Sequence, residues 1–331
     1  MPSKMLSYPS LKSVLQYMEA NLRFNLSQHL PGIRTAEKTV PLQIVDCYSH
    51  DKSILTINNV AYHLYSSKNR DCRSPGYVPF KGEAEFERKL REGTKTLPSN
   101  EFSIKLTTTV VASKKLQTET VAYSKNLSEA YKYRITKLLG RGHSVRVKNL
   151  DISMQGCFSW PLGLKLVVQN LKAWKIEDME HLQEILCDTS FPLQHLEIEV
   201  CSAKWPETTR KVMEKTDRLV LDFAPNYEFL RHRIRNRRFR ASGHQLVALD
   251  YMNIVRDWRA EKRKIGSCWE FGGFDGPEIR QFFESLKCQV GVISVGEKNV
   301  QIPTDGDTTI EVEYNEKQKC LSIKVVSNET L

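Results

Sequence analysis

Apolar residues at Leu11, Val14, Leu15, Met18 and Leu22 recur at three- and four-residue steps, with Lys12, Ser13, Gln16 and Glu19 between them. That spacing predicts an amphipathic helix near the start of the chain. Pro9 suits its first turn. A second, shorter helical pattern carries Leu22, Leu26 and Leu30. It stops at Pro31-Gly32, where proline denies an amide and glycine permits a left-handed turn. So few residues cannot bury both stripes themselves. The apolar faces must meet either the rest of the chain or another protein.

Further on the period changes from helical to alternating. Ile54 to Leu64 reads as two strands around Asn58-Asn59, a dipeptide that tolerates the positive φ angles of a tight hairpin. Residues 68–100 are charged and punctuated by Pro75-Gly76, Gly82, Gly93 and Pro98, so surface loops with at most one short helix are expected there. Phe102, Ile104 and Leu106 then extend the same small sheet. A helical composition from Asn126 to Leu139 ends at Gly140, and a domain boundary is expected near residues 139–144.

Beyond that boundary strands and helices alternate. Val147, Leu150 and Ile152 fit an apolar-x-x-Leu-x-Leu pattern, as do Leu193, Leu196 and Ile198, with looser versions at Leu164–Leu171 and Leu219–Phe223. The strands recur about every 20 to 30 residues, with helical segments at Glu177–Cys187 and Glu207–Lys215 between them, as a leucine-rich-repeat-like array requires. A long amphipathic helix through Leu246, Leu249, Ile254 and Trp258 follows, then a strand near Cys268–Phe271 and a helix from Pro277 to Leu286. Ile310, Val312 and Tyr314 with Leu321, Ile323 and Val325 flank a polar turn and predict a terminal hairpin.

The expected fold is therefore an α+β N-terminal part, a helical start plus a small antiparallel sheet, followed by an α/β leucine-rich-repeat-like array. The divisions fall at residues 1–40, 41–140 and 141–331.

The chain has 331 residues, 40% of them apolar and 27% charged, ordinary values for a globular protein. No apolar run approaches the roughly 18 residues needed to span a bilayer, and no secretory h-region is evident. No membrane association and an intracellular location, cytoplasmic or nuclear, are expected. Eight cysteines lie apart with no Cys-x-x-Cys pair, against a zinc site or a disulfide framework. Net charge is +10, and Arg231 to Lys264 holds eleven Lys/Arg against three Asp/Glu, so one basic patch dominates.

The run from Leu6 to Pro79 contains Leu6-Ser-Tyr-Pro-Ser-Leu, Met18-Glu-Ala-Asn-Leu-Arg-Phe, Arg34-Thr-Ala-Glu-Lys-Thr-Val-Pro-Leu and Ile57-Asn-Asn-Val-Ala-Tyr. These resemble the nematode-specific F-box C protein family. The block Gln245-Leu-Val-Ala-Leu-Asp-Tyr-Met-Asn-Ile-Val-Arg-Asp-Trp258 with Phe271-Gly-Gly-Phe274 is similar to a helix-then-strand block of the same proteins. The resemblance implies a degenerate F-box that docks the Skp-type adaptor of a cullin ubiquitin ligase, with downstream domains that hold a substrate protein. An ordinary F-box opens with Leu-Pro and runs for some forty residues of three helices, whereas Tyr8-Pro9 opens a shorter pattern.

On that implication the docking surface comprises Pro9, Leu11, Val14, Leu15, Met18 and Leu22. The alternative, that the helices simply pack on the following sheet, has the same periodicity. The second candidate is the basic patch of Arg231, Arg233, Arg235, Arg237, Arg238 and Arg240. Leu230 and Ile234, four apart, predict a helix that carries these arginines on a solvated face. Binding of an acidic protein is the functional reading. Nucleic acid is the less favoured one, since only Phe239 offers a stacking surface.

His181 with Cys187 and His195 with Cys201 do not make a closed four-coordinate site, and Gly140-Arg-Gly-His lacks the phosphate-loop ending. No catalytic signature occurs, so no enzyme activity and no cofactor are expected. The expected function is substrate recognition for a cullin-type ligase. The alternatives are an interaction module without a ligase role and a basic-patch nucleic-acid binder.

Overall fold

The computed structural model describes residues 8–50, 54–66, 103–110, 115–122, 127–152, 160–161, 163–175, 178–200, 207–222, 226–242, 246–273, 277–289, 291–304 and 306–328. The loops expected over residues 68–100, and Cys201, lie outside them. The chain divides into two compact units, 1–145 with 155–164, and 146–154 with 165–331.

The first unit opens with three helices, α1 (Tyr8–Tyr17), α2 (Ala20–His29) and α3 (Arg34–Thr39). Glu19 caps α2, its carboxylate accepting from the Leu22 amide at 3.0 Å. A single 3₁₀ turn at Pro31–Ile33 separates α2 from α3. Five strands follow, β1 (Gln43–His50), β2 (Ile54–Ile57), β3 (Val60–Ser66), β4 (Ser103–Val110) and β5 (Lys115–Ala122), each antiparallel to the next. The β2–β3 hairpin turns on Asn58, whose φ of 52° matches the expectation drawn from Asn58-Asn59. Helix α4 (Leu127–Leu139) completes the unit and stops at Gly140.

A polar seam ties the helical start to this sheet. The Asn58 side chain accepts from the Val45 and Asp46 amides and donates to Glu19. Asn21 donates to the Ile57 carbonyl at 3.0 Å and accepts from the Tyr62 hydroxyl at 2.7 Å. These partly buried groups thereby satisfy one another, as their partial removal from water requires.

The second unit carries strands β6 (Val145–Ile152), β7 (Leu166–Lys175), β8 (His195–Val200), β9 (Arg218–Leu221), β10 (Arg238–Ala241) and β11 (Cys268–Gly272), in that spatial order. From β7 to β11 the pairings are parallel. Between them run α5 (Asp178–Ile185), α6 (Glu207–Glu214), α7 (Tyr227–Arg233) and α8 (Ala248–Glu261). Next come α9 (Pro277–Lys287) and four antiparallel strands, β12 (Ile293–Gly296), β13 (Asn299–Pro303), β14 (Thr308–Asn315) and β15 (Cys320–Ser327). The last of these pairs antiparallel with β11, so the terminal hairpin, β14–β15, continues the sheet.

One face of the strands makes the core. Leu196, Ile198, Leu219, Leu221, Phe239, Ala241, Trp269 and Phe271 are all buried. Tyr251 and Trp258 from α8 and Phe282 from α9 meet that face edge-on, with Trp258–Trp269 at 5.3 Å, Tyr251–Phe271 at 5.2 Å and Tyr251–Phe282 at 5.9 Å. Such edge-to-face pairs add about 0.5–1.5 kcal/mol each beyond the area they bury. The opposite face carries mostly polar side chains, with Val220 buried among them.

Candidate functional site

Two surfaces bear the residues that the sequence singles out. On the first, at the N-terminal helices, the apolar stripe divides into an inward and an outward part. Leu15 has no exposed surface and packs with Ala36 and Val40 of the α3 region, with Leu11 and Met18 against them. Leu15 therefore makes internal contacts, to a third helix that the sequence reading did not single out. Pro9 is exposed, and Val14 and Leu22 are 46% and 51% exposed, beside Tyr17 at 87%.

Beneath this surface lies a buried ionic cluster that no sequence motif announced. The Glu37 carboxylate stands 3.3 Å from Arg23 Nε and 2.5 Å from Arg141 Nη2, and all three side chains are at most 1% exposed. Arg23 also donates to the carbonyls of Pro41, Glu37 and Val40. Lys38 donates to the Lys137 and Gly140 carbonyls at the end of α4, and burial pushes its ammonium down to about 8. These bonds fix α2 and α3 against α4.

The second surface is the open polar face of the strands. Because the register is parallel, one side chain from each strand falls in a single transverse row: Asn170, His195, Arg218, Arg238, Cys268 and, across the antiparallel step, Lys324. A second row, two residues along, holds Lys172, Glu197, Val220, Arg240, Glu270 and Ser322. Asn149, Asn170, Gln194, His195, Asp217, Arg218 and Arg238 line a shallow, open pocket of about 630 Å³ on this face.

The expectation of one arginine-bearing helix is corrected here. Helix α7 ends at Arg233 with Ile234 as its C-cap, and the run then turns into β10. Only Arg231 and Arg233 are helical, and Arg231 meets Asp257 at 3.4 Å. Arg235 pairs with Glu261 at 3.0 Å, and Arg237 donates to the Ile265 carbonyl at 2.8 Å. Arg238 and Arg240 flank the buried Phe239 and project from the strand's polar face. The physical reason is the Arg-Phe-Arg-Ala alternation, whose period of two fits a half-buried strand. That alternation was the signal available in the sequence.

Along the same face Glu197, Glu199 and Asp222 bring their carboxylates within 4.8 Å of one another. Lys172 supplies the countercharge, with Nζ 2.6 Å from Glu197 and 2.8 Å from Glu199. The His195 imidazole and the Lys172 ammonium hold the Glu197 carboxyl at about 2, well below its ordinary range. A carboxyl with a lowered folded-state pKa adds stability that is present above about pH 4.5 and lost as the pH falls toward 2. Glu197→Gln should therefore cost about 1 kcal/mol at pH 6, as a partly exposed pair allows. Urea unfolding at pH 6, 4 and 2 should show the two proteins converging at the acid end.

A family model described as a domain of unknown function (DUF3557) matches residues 126–275, a segment that contains every residue lining the pocket. No curated protein and no solved structure matches the chain significantly. Among the described residues, no helix is long and apolar enough to cross a membrane.

Proposed function

We propose that the chain is a non-catalytic, intracellular recognition protein of the F-box type. Its N-terminal helices dock a Skp-type adaptor of a cullin ubiquitin ligase, and its second unit, a leucine-rich-repeat-like array, holds a target protein. The mechanism is proximity: a target held beside a charged conjugating enzyme reacts at a raised effective concentration, while the chemistry belongs to the other subunits.

The observation that carries this reading is the divided stripe. Leu15 is used internally, yet Val14, Tyr17 and Leu22 stay outside on two consecutive helices, an uncovered apolar surface of the kind that marks an interface. The buried cluster supports it by tying α2 to α3, on which Leu15 of α1 packs, and so lowers the entropy lost on docking. Reading the second unit as a repeat array draws support from strands β7–β11, which lie parallel, alternate with helices and offer mostly polar side chains to the open face.

A pull-down of purified Skp-type adaptors by the full chain tests the proposal. Val14→Glu with Leu22→Glu should reduce capture at least tenfold while leaving the thermal transition in place, because both side chains are half exposed. Failure of the wild-type chain to capture any adaptor removes the ligase role and leaves an interaction module. Binding to nucleic acid that falls steeply with salt would favour the basic-patch reading instead.

A further inference from the structure

On the open face of the strands most positive charges are already neutralised in place. Lys172 bridges Glu197 and Glu199, Lys324 stands 3.3 Å from Glu313, and Arg238 meets Asp217 at 2.5 Å. Arg218 differs. Its guanidinium reaches only Glu270, at 4.0 Å and beyond hydrogen-bond range, and among the described residues its side chain donates no hydrogen bond. The register sets Arg218 directly between His195 on β8 and Arg238 on β10, and all three line the pocket.

Five N–H donors in a planar fork match an oxyanion, most strongly when two oxygens are engaged together. A carboxylate is the weaker match: the one beside Arg218, Glu270, is held only at 4.0 Å and makes no hydrogen bond to it. A phosphomonoester brings nearly two charges and three terminal oxygens, enough for Arg218 and the edge of Arg238 that Asp217 leaves unused, with the His195 imidazole, 3.6 Å from Glu197, turning from that carboxylate to the third oxygen.

A polyanion fits poorly. Glu197, Glu199, Asp222, Glu270 and Glu313 share the face and would repel a continuous phosphate backbone. The shallow, open form of the pocket also argues against an enclosed small molecule. From Asn170 to Arg238 the row crosses three inter-strand steps, about 14 Å, the length of roughly four residues of extended chain.

We infer that His195, Arg218 and Arg238 form a receptor for one phosphoserine or phosphothreonine side chain on an extended segment of a target protein. The inference rests on the recognition reading of the second unit and is independent of adaptor docking.

The test is fluorescence polarisation of the full chain with labelled peptides of randomised flanks around a central phosphoserine, against the same library with serine. Phosphoserine should bind at least tenfold more tightly. Arg218→Ala should bring the two libraries within twofold with an unchanged melting curve, since the side chain is 43% exposed, whereas Arg233→Ala on α7 should leave the preference intact. Equal binding of the two libraries overturns the inference, and so does a preference that survives Arg218→Ala. Displacement of the phosphopeptide by an equal concentration of inorganic phosphate, or preferentially by a thymidine 20-mer, overturns the assignment to a protein segment. Adaptor capture by Arg218→Ala should equal that of the wild type, so failure of one proposal is distinguishable from failure of the other.

Discussion

Replacing Glu37 by alanine should destabilise the N-terminal unit by about 3–5 kcal/mol, the effect of leaving buried charge without its partner. Arg23 and Arg141 share this one carboxylate, and both guanidinium groups are sealed from water. Removing it leaves two cations buried side by side, and their mutual repulsion adds to the desolvation that already lowers the pKa of Arg23. Against total stabilities of about 5–15 kcal/mol, that loss should abolish or sharply lower the unit's thermal transition. Glu37→Gln keeps the shape without the charge and should recover only a small part. Chemical denaturation followed by circular dichroism reads both. A Glu37→Ala protein as stable as the wild type would mean that the cluster contributes nothing to the fold. The same variant should lose adaptor capture, because the helices that carry Val14 and Leu22 would no longer be held in place.

Trp269→Ala should cost the second unit a comparable 3–5 kcal/mol, through lost apolar burial and the cavity left behind. Trp269 sits at the centre of its aromatic core, 5.2 Å from Phe239, 5.3 Å from Trp258 and 6.3 Å from Phe271. Its indole N–H donates to the Asn236 carbonyl at 3.1 Å, and Arg263 stacks over both Trp269 and Trp258. Asn236 in turn donates to the Met213 and Thr216 carbonyls, linking the loop after α6 to the turn before β10. Alanine would remove the hub of that arrangement, whereas phenylalanine would forfeit only the hydrogen bond and part of the stacking, about 1–2 kcal/mol. Near-ultraviolet circular dichroism should lose its tertiary signal in Trp269→Ala and keep most of it in Trp269→Phe.

Local periodicity carried much of this architecture. Asn58-Asn59 marked the β2–β3 hairpin, Gly140 the end of α4, and the alternation around Asn315 to Lys319 the closing β14–β15 hairpin. Each of these is a property of adjacent residues. Helix α3 and strands β1, β5, β12 and β13 escaped because their apolar positions are too few to set a period. The arginine run was misread because Leu230 and Ile234 satisfy a helical step while Phe239 and Ala241 satisfy an alternating one, and Ile234 is where the first gives way to the second.

The segments that carried the resemblance meet in the fold. Glu19 and Asn21 contact Asn58, Ile57 and Tyr62, while Arg23 reaches Glu37. Their residues are polar because they are one another's partners, a fact that neither segment reveals alone.

By itself the sequence determined most of the longer helices and strands, because the 3.6- and 2-residue repeats of apolar side chains express the geometry of the backbone. It also determined the excess of positive charge. Only the tertiary structure decided that Leu15 turns inward while Val14 and Leu22 turn outward, since one stripe serves a neighbour or a partner equally well. Only the parallel register set His195, Arg218 and Arg238 in one row, because hydrogen bonds between strands, and not spacing along the chain, bring such residues side by side.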